Sequence, residues 1–291
     1  MRLPVFRGQA PSEERDPELE VNVALVTEFL VAFLKDECIR KRKTERAVLG
    51  LSGGVDSAVV TYLCARAFGP SNVLALRMPY KISSQDSLDH AQLVIDATGV
   101  RSRTIDITNM VDGYISISEP DADATRTGNV CARSRMTVLF DQSAKSGALP
   151  IGTGNKTERL FGYFTWHGDD APPINPLGDL YKTQVWSLAR SLGVPPVIVE
   201  KAPSADLVKG QTDEADLGVP YGVADRILVR LTMGWTQERL REAGFERKDI
   251  ETVRKRLDAT HWKRNLPTVA MLSETSVNDY FLRPVDYRGS S

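Results

Sequence analysis

Apolar residues recur at helical intervals near the start of the chain. Leu19, Val23, Val26, Leu30, Phe33 and Leu34 lie within 19–42, and the segment ends in the basic run Arg40 to Lys43. Steps of three and four residues put them on one face and predict a long amphipathic helix. AVLGLS at 47–52 then forms a short apolar run, followed by Gly53-Gly54 and by helical periodicity from Ser57 to Phe68. That order predicts a strand, a tight turn and a helix. The theme repeats with VLALRM at 73–78 as a strand, Ser84 to Thr98 as a helix closed by Gly99, and RTIDIT at 103–108 as a strand. Asn129 to Ser146 follows as a helix closed by Gly147, and ALPIGTG at 148–154 as a strand. Strands alternating with helices predict an α/β fold: a Rossmann-like, doubly wound parallel sheet covered on both faces, with ligands at the carboxyl ends of its strands.

From Gly162 the rhythm changes to a stretch rich in Gly, Pro and Asp (GYFTWHGDDAPPINPLGDLY), then a helix at about 182–192. Further helices are expected near 221–233, 236–243 and 247–259. No linker-like shift in composition separates these parts. The expectation is therefore one domain over 1–291, with a core at about 20–270, polar tails and a helical C-terminal extension.

Composition narrows the function classes. With 42% hydrophobic and 26% charged residues the chain reads as an ordinary soluble protein. Its 37 Lys and Arg nearly cancel 38 Asp and Glu, leaving net −1, which argues against a nucleic-acid partner. FLVAFL at 29–34, the longest strongly apolar stretch, falls far short of the roughly 18 to 20 residues a bilayer requires, so no membrane span is expected. The acidic, core-less first twenty residues do not read as a secretory signal. Cys38, Cys64 and Cys131 are few, odd in number and scattered, which points to a reducing cytoplasm and away from a disulfide framework or zinc site.

The most informative segment is LGLSGGVDSAVV at 49–60. Two adjacent glycines let backbone amides approach a phosphate, a helix amino end supplies unpaired N–H groups, and Ser52 and Ser57 add hydroxyls. The turn lacks the Lys of the G-x-x-x-x-G-K-[ST] loop, so a cut between β and γ phosphates is not expected. Asp56 makes electrostatic sense beside bound phosphate only with a cation between them, which implies magnesium. Read blandly, the same segment is a turn with an Asp cap.

Downstream, Asn129 to Met136 puts Arg133 and Arg135 at what reads as a helix start, suited to anionic phosphates. IGTGNKTE at 151–158 ends a strand with a small-residue turn and offers Glu158 as a second magnesium ligand opposite Asp56. NPLGDLYKTQVW at 175–186 places Lys182 near a helix start. APSADL at 202–207 and Gln211 to Glu214 form a polar loop suited to nucleotide contact.

S-G-G-x-D-S in its strand-turn-helix setting resembles the N-type ATP pyrophosphatases, the PP-loop family with the adenine nucleotide alpha hydrolase-like fold. With G-T-x-N-x-T-E, G-Y-F-T-x-x-G-D, N-P-x-x-D-L-Y-K-T and A-P-S-A-D-L in this order, the chain is similar to the ammonia-dependent NAD synthetases over about 20–270. That resemblance implies a ligase that adenylates the carboxylate of nicotinate adenine dinucleotide (deamido-NAD) with ATP, releasing pyrophosphate. Ammonia then displaces AMP to give NAD. It implies that the loop residues Gly50, Leu51, Ser52, Gly53, Gly54, Val55 and Ser57 hold ATP, together with Arg77, Gln85, Thr153, Lys182 and Ser204. Asp56 and Glu158 would bind Mg2+, Arg133, Trp262 and Lys263 would touch the dinucleotide, and Asp169 would accept a proton from ammonium. A homodimer is also implied, with the helix at 19–42 as a contributor.

Two positions depart from the family pattern: Trp166-His167 stand where Lys is common, and Pro173 where Asp is common. Trp166 offers a ring to stack on substrate in place of a charge, or a structural aromatic. Competing readings are another PP-loop enzyme, such as one that modifies transfer RNA, and an ATP sensor without catalysis. The first would carry a basic surface; the second would not need Asp56 and Glu158 as a metal pair.

Overall fold

The computed structural model describes residues 16–203, 212–265 and 268–273. Four parallel strands form the sheet: β1 (Ala47–Gly50), β2 (Val73–Arg77), β3 (Arg101–Thr104) and β4 (Leu149–Pro150), in the order β3-β2-β1-β4. Ala47 pairs with Val73 on one side and Leu149 on the other. The chain thus winds outward from β1 through β2 to β3, then returns to add β4 on the opposite flank. This reversal of direction opens a crevice at the carboxyl end of β1, where doubly wound sheets bind ligands.

The helices are α1 (Val23–Leu34), α2 (Val55–Phe68), α3 (Gln85–Thr98), α4 (Thr108–Ser118), α5 (Ala124–Ser146) and α6 (Lys156–Phe161). They are followed by α7 (Lys182–Leu192), α8 (Pro196–Val199), α9 (Asp213–Leu217), α10 (Tyr221–Thr232), α11 (Gln237–Glu242) and α12 (Arg247–Ala259). Val48 and Leu49 of β1 point to opposite faces and are both fully buried, one in each of two apolar clusters, as expected of a strand covered on both sides. A third cluster, built on Phe161, Tyr181, Tyr221, Ile227, Leu228 and Val253, holds α6, α10 and α12 together. Trp186 of α7 packs against both this cluster and the main one.

Several boundaries differ from the expectations. The helix expected at 19–42 begins at Val23, where the Asn22 side chain accepts the Leu25 N–H, and it passes into a π-helical segment, Lys35–Lys41. The third strand lies at Arg101–Thr104 rather than 103–108: the pairing uses a polar, exposed edge. Ile105 and Ile107 continue it only as single N–H bonds to the Arg77 and Pro79 carbonyls. The helix expected from Asn129 starts at Ala124 because Asp123 caps it by accepting the Arg126 N–H at 2.7 Å. Arg133 and Arg135 therefore sit in the helix body and not at its start, so neither gains from the amino-terminal dipole. The strand expected at 148–154 is two residues long, extended by an isolated bridge from Ile151 to Ile174. Helices α4 and α6 fall where the pattern predicts no helix. Among the described residues no helix is long and apolar enough to cross a membrane.

Candidate active site

The loop after β1 is held by its own hydroxyls. Ser52 N–H donates to Ser57 Oγ at 3.2 Å, the two Oγ atoms lie 3.1 Å apart, Gly54 N–H donates to Ser52 Oγ, and Ser57 Oγ donates to the Gly54 carbonyl at 3.0 Å. Gly53 adopts φ +83, and a Cβ there would lie 2.1 Å from the Ser87 carbonyl oxygen of α3. Only glycine serves at this position. Gly54 caps α2 without a capping side chain, which leaves the first-turn N–H groups suited to an anion. Gly50, Leu51 and Val55 complete the turn, with Leu51 and Val55 buried beneath it.

Asp56, on the first turn of α2, meets residues carried in from β4. Its Oδ1 accepts from Asn155 Nδ2 at 2.9 Å and its Oδ2 from Lys182 Nζ at 2.5 Å. Asn155 also caps α6 in a reciprocal box: its Oδ1 accepts the Glu158 N–H, and Glu158 Oε2 accepts the Asn155 N–H at 3.1 Å. Lys182 Nζ lies 3.4 Å from Glu158 Oε1 and 5.3 Å over the Tyr221 ring. The Lys182 ammonium, and Asn155 through its side-chain amide and its backbone N–H, thus bridge two carboxylates carried on different helices, α2 and α6.

Electrostatics follow from this crowding. Burial, reinforced by the Asp56 charge, pushes the Glu158 carboxyl up to about 8, against the pull of Lys182. Burial alone would depress the Lys182 ammonium, but Asp56 and Glu158 outweigh it and raise its pKa. With Glu158 ionised, the two carboxylates carry one more negative charge than Lys182 balances, which favours a further cation. Two carboxylates are also what magnesium takes from a protein when phosphates and water complete its octahedron. Among the described residues no cluster of three or more His, Cys, Asp or Glu side chains could enclose a metal by itself. The donor set therefore fits magnesium bound together with a phosphate ligand.

A second group gathers at the far end of α6, whose six residues span about 9 Å. Arg133 Nε and Nη2 donate to the Trp166 carbonyl at 3.3 Å, and Lys263 Nζ donates to the Gly162 and Phe164 carbonyls at 2.8 and 2.7 Å. Burial lowers the Lys263 pKa. Trp166 stacks on His167 at 4.3 Å and meets Trp262 edge to face at 5.2 Å, with Trp262 49% exposed. Asp169 accepts the Thr165 N–H at 2.7 Å, and desolvation of its carboxyl raises its pKa although the residue as a whole is exposed. Arg133 of α5 and Trp262 and Lys263 of the 3-10 turn His261–Arg264 thus meet the loop that carries Trp166 and Asp169.

Other candidates are placed differently. Arg77, at the end of β2, donates through Nη1 to Gln92 Oε1 at 2.8 Å, while its buried Nε has no partner. Gln85 bonds Asp89 on its own helix at 2.8 Å and is exposed. Thr153 lies half-buried in the turn after β4. Ser204 falls outside the described residues. Sequence reasoning missed Asn155, although N-x-x-E before an apolar run is a capping-box signature. It also missed Tyr163, although this residue stands in the G-Y-F-T-x-x-G-D run, and Tyr221; their hydroxyls donate to the buried Asp213 at 3.0 and 3.2 Å.

Comparisons with known proteins agree with this geometry. The family model described as NAD synthase matches residues 26–267. A curated NH(3)-dependent NAD(+) synthetase from Trichlorobacter lovleyi is 49% identical over 265 residues, which is 90% of this chain and 96% of that protein. Among solved structures, an NMN synthetase from Francisella tularensis superposes with TM-score 0.77 at 31% identity, covering 86% of this chain and 99% of that one. An NH3-dependent NAD synthetase from Campylobacter jejuni gives TM-score 0.74 at 31% identity, covering 86% and 100%.

Proposed function

The chain belongs to the NAD synthase family, and from that premise we propose that it amidates deamido-NAD with ammonia at the expense of ATP. The observation that carries this reading is the pairing of Asp56 and Glu158 beside a hydroxyl-braced, glycine-opened turn at the switch point of the sheet. The substrate carboxylate attacks the α phosphorus of ATP, the bond to the bridging oxygen breaks, and pyrophosphate leaves. Ammonia then adds to the acyl carbon, AMP departs with the carboxyl oxygen, and the nitrogen loses a proton to give the amide. No protein nucleophile is needed. The enzyme supplies alignment and charge neutralisation.

In this scheme Ser52, Ser57 and the amides of Gly53, Gly54 and Val55 hold the β and γ phosphates that leave together. Lys182, which bonds Asp56 here, would neutralise charge on the transferring phosphate. Magnesium held by Asp56 and Glu158 would withdraw electron density from phosphorus and screen the phosphates. In this reading Thr153, Arg77 and Gln85 would contact the nucleotide, with Ser204 outside the described residues, and Arg133, Trp166, Trp262 and Lys263 would contact the acceptor. Asp169, with its raised pKa, is suited to take a proton from ammonium.

The same reading includes a homodimer, a single domain over 1–291 and a cytoplasmic setting. Dimerisation draws support from α4, where Met110, Tyr114 and Ile117 are exposed on one face, Ile117 at 79%. Helix α1 spends Val26, Leu30 and Leu34 on the core and has Leu25 and Phe29 as its exposed large apolar side chains. A monomer by sedimentation at micromolar concentration would count against the dimer. Three buried free cysteines suit a reducing compartment.

The test is a product assay with ATP, magnesium, ammonium and deamido-NAD, following NAD and the cleaved nucleotide. NAD with AMP and pyrophosphate is expected. The Francisella neighbour and the Trp166 and Pro173 departures favour one second reading, amidation of the mononucleotide, so it is run in parallel. A higher kcat/KM for the mononucleotide would replace the acceptor and keep the chemistry.

A further inference from the structure

Lys182 and Glu158 meet beside Asp56 from the starts of α7 and α6, which one backbone bond ties together, Lys156 N–H to the Leu180 carbonyl at 2.8 Å, and which side chains from a third helix tie further. Helix α7 begins behind Tyr181, whose phenol is turned to Thr232 Oγ1 at 3.1 Å. The oxygens that accept its first N–H groups come from other elements. Lys182 N–H donates to Thr157 Oγ1 at 3.0 Å, and Thr183 N–H donates to Asp225 Oδ2 at 2.9 Å. Thr157 Oγ1 in turn donates to Asp225 Oδ1 at 2.5 Å.

Asp225 lies on α10, is 0% exposed, and sits outside every motif of the nucleotide loop. Its two oxygens close a ring through the residue before Glu158, the backbone of Lys182 and the residue after it. Burying a carboxylate costs several kcal/mol unless both oxygens are satisfied, and here both are spent on this junction. Its charge also faces the amino end of α7, the favourable sense of the helix dipole.

We propose that Asp225 is a positioning residue of this site: with Thr157 it clamps the first turns of α6 and α7 together, so that Glu158 and Lys182 converge on Asp56. It touches no substrate and acts through those two side chains. The proposal rests on the reading of the site given above for the reaction, but not on the identity of the acceptor. A misplacement of about 1 Å at such a site costs on the order of 100-fold in rate.

The test uses the full chain with Asp225→Asn, Thr157→Val, Thr157→Ser and the Asp225→Asn/Thr157→Val double variant, assayed well below each melting temperature. The expected result is a fall in kcat of about 10- to 100-fold for Asp225→Asn and Thr157→Val. KM for deamido-NAD should stay within twofold, and Thr157→Ser, which keeps the hydroxyl, should recover kcat. The double variant should be no worse than the poorer single, since both break one ring. Calorimetry of magnesium–ATP binding, read without turnover, should show a raised magnesium requirement in the same two single variants. A kcat within threefold of wild type in a folded Asp225→Asn, or losses that multiply in the double variant, would overturn the clamp. If Asp225→Asn does not fold, equal kcat for Thr157→Val and Thr157→Ser overturns it instead. Wild-type protein that binds magnesium–ATP but makes no NAD would sink the functional reading alone, and the calorimetric comparison would still decide the clamp.

Discussion

Replacing Lys182 with Met separates two roles that one ammonium plays. The side chain is 3% exposed and lies 2.5 Å from Asp56 and 3.4 Å from Glu158, so Met keeps the volume and removes the charge with its two hydrogen bonds. Two carboxylates are then left facing one another with no cation. Breaking a buried pair from one side costs about 3–5 kcal/mol. At about 2–4 °C per kcal/mol for a chain of this size, the melting temperature should drop by on the order of 10 °C. The loss should depend on pH. Glu158 titrates near 8 even with Lys182 present, and losing the cation raises it further. At pH 6 the variant relieves repulsion by protonating Glu158; at pH 9 both groups are charged more of the time and the loss is larger. Millimolar magnesium should restore the variant more than the wild type, because it supplies the missing cation. Turnover is a separate reading: kcat for AMP release should fall by about 100- to 1000-fold and should not be recovered by magnesium. The assays are thermal melts across pH with and without magnesium, and single-turnover AMP release. A melting shift below 2 °C at pH 9 without metal, or a shift indifferent to both pH and magnesium, would refute the argument that Lys182 is the resident counter-ion of the pair.

Gly53→Ala should cost at least about 1–3 kcal/mol and raise KM for ATP, since φ +83 and a Cβ 2.1 Å from the Ser87 carbonyl oxygen strain both the loop and α3; melts and ATP saturation curves check it, and an unchanged KM would refute it. Trp166→Ala should raise KM for deamido-NAD several-fold while leaving KM for ATP alone, because the edge-to-face contact with Trp262 is worth about 0.5–1.5 kcal/mol and lies at the far end of α6; equal effects on both substrates would count against it. The buried Asp225 has its pKa raised from 3.8 to about 6, so the folded state binds protons more tightly than the unfolded chain between those values. Its contribution to stability must therefore fall as pH rises from about 4 to 6, by at most about 3 kcal/mol. Denaturant titrations of wild type and Asp225→Asn should converge toward higher pH by that sense; parallel curves would contradict the shift.

Local patterns settled the parts of this protein whose physics is local. The apolar run 47–51, the Gly53-Gly54 turn and the periodic segment after it specify strand, turn and helix through nearest-neighbour preferences, and with them the positions of Ser52, Asp56 and Ser57. Glu158 was legible because it follows a strand end, and α7, α10 and α12 because their apolar stripes repeat over three turns or more. Boundaries failed where a longer-range partner overrode the pattern: β3 pairs through polar Arg101 to Thr104 because β2 offers its edge there, and α5 starts early because Asp123 caps it. Only the tertiary fold decided that Lys182 reaches back 126 positions to Asp56, that Asn155 spans both carboxylates, and that Asp225 joins the two helix starts across 68 positions. No short-range periodicity encodes such contacts. They arise where the chain reverses direction at β1 and brings the ends of β1 and β4 side by side, and the charge they concentrate there is a property of that junction, not of any one segment.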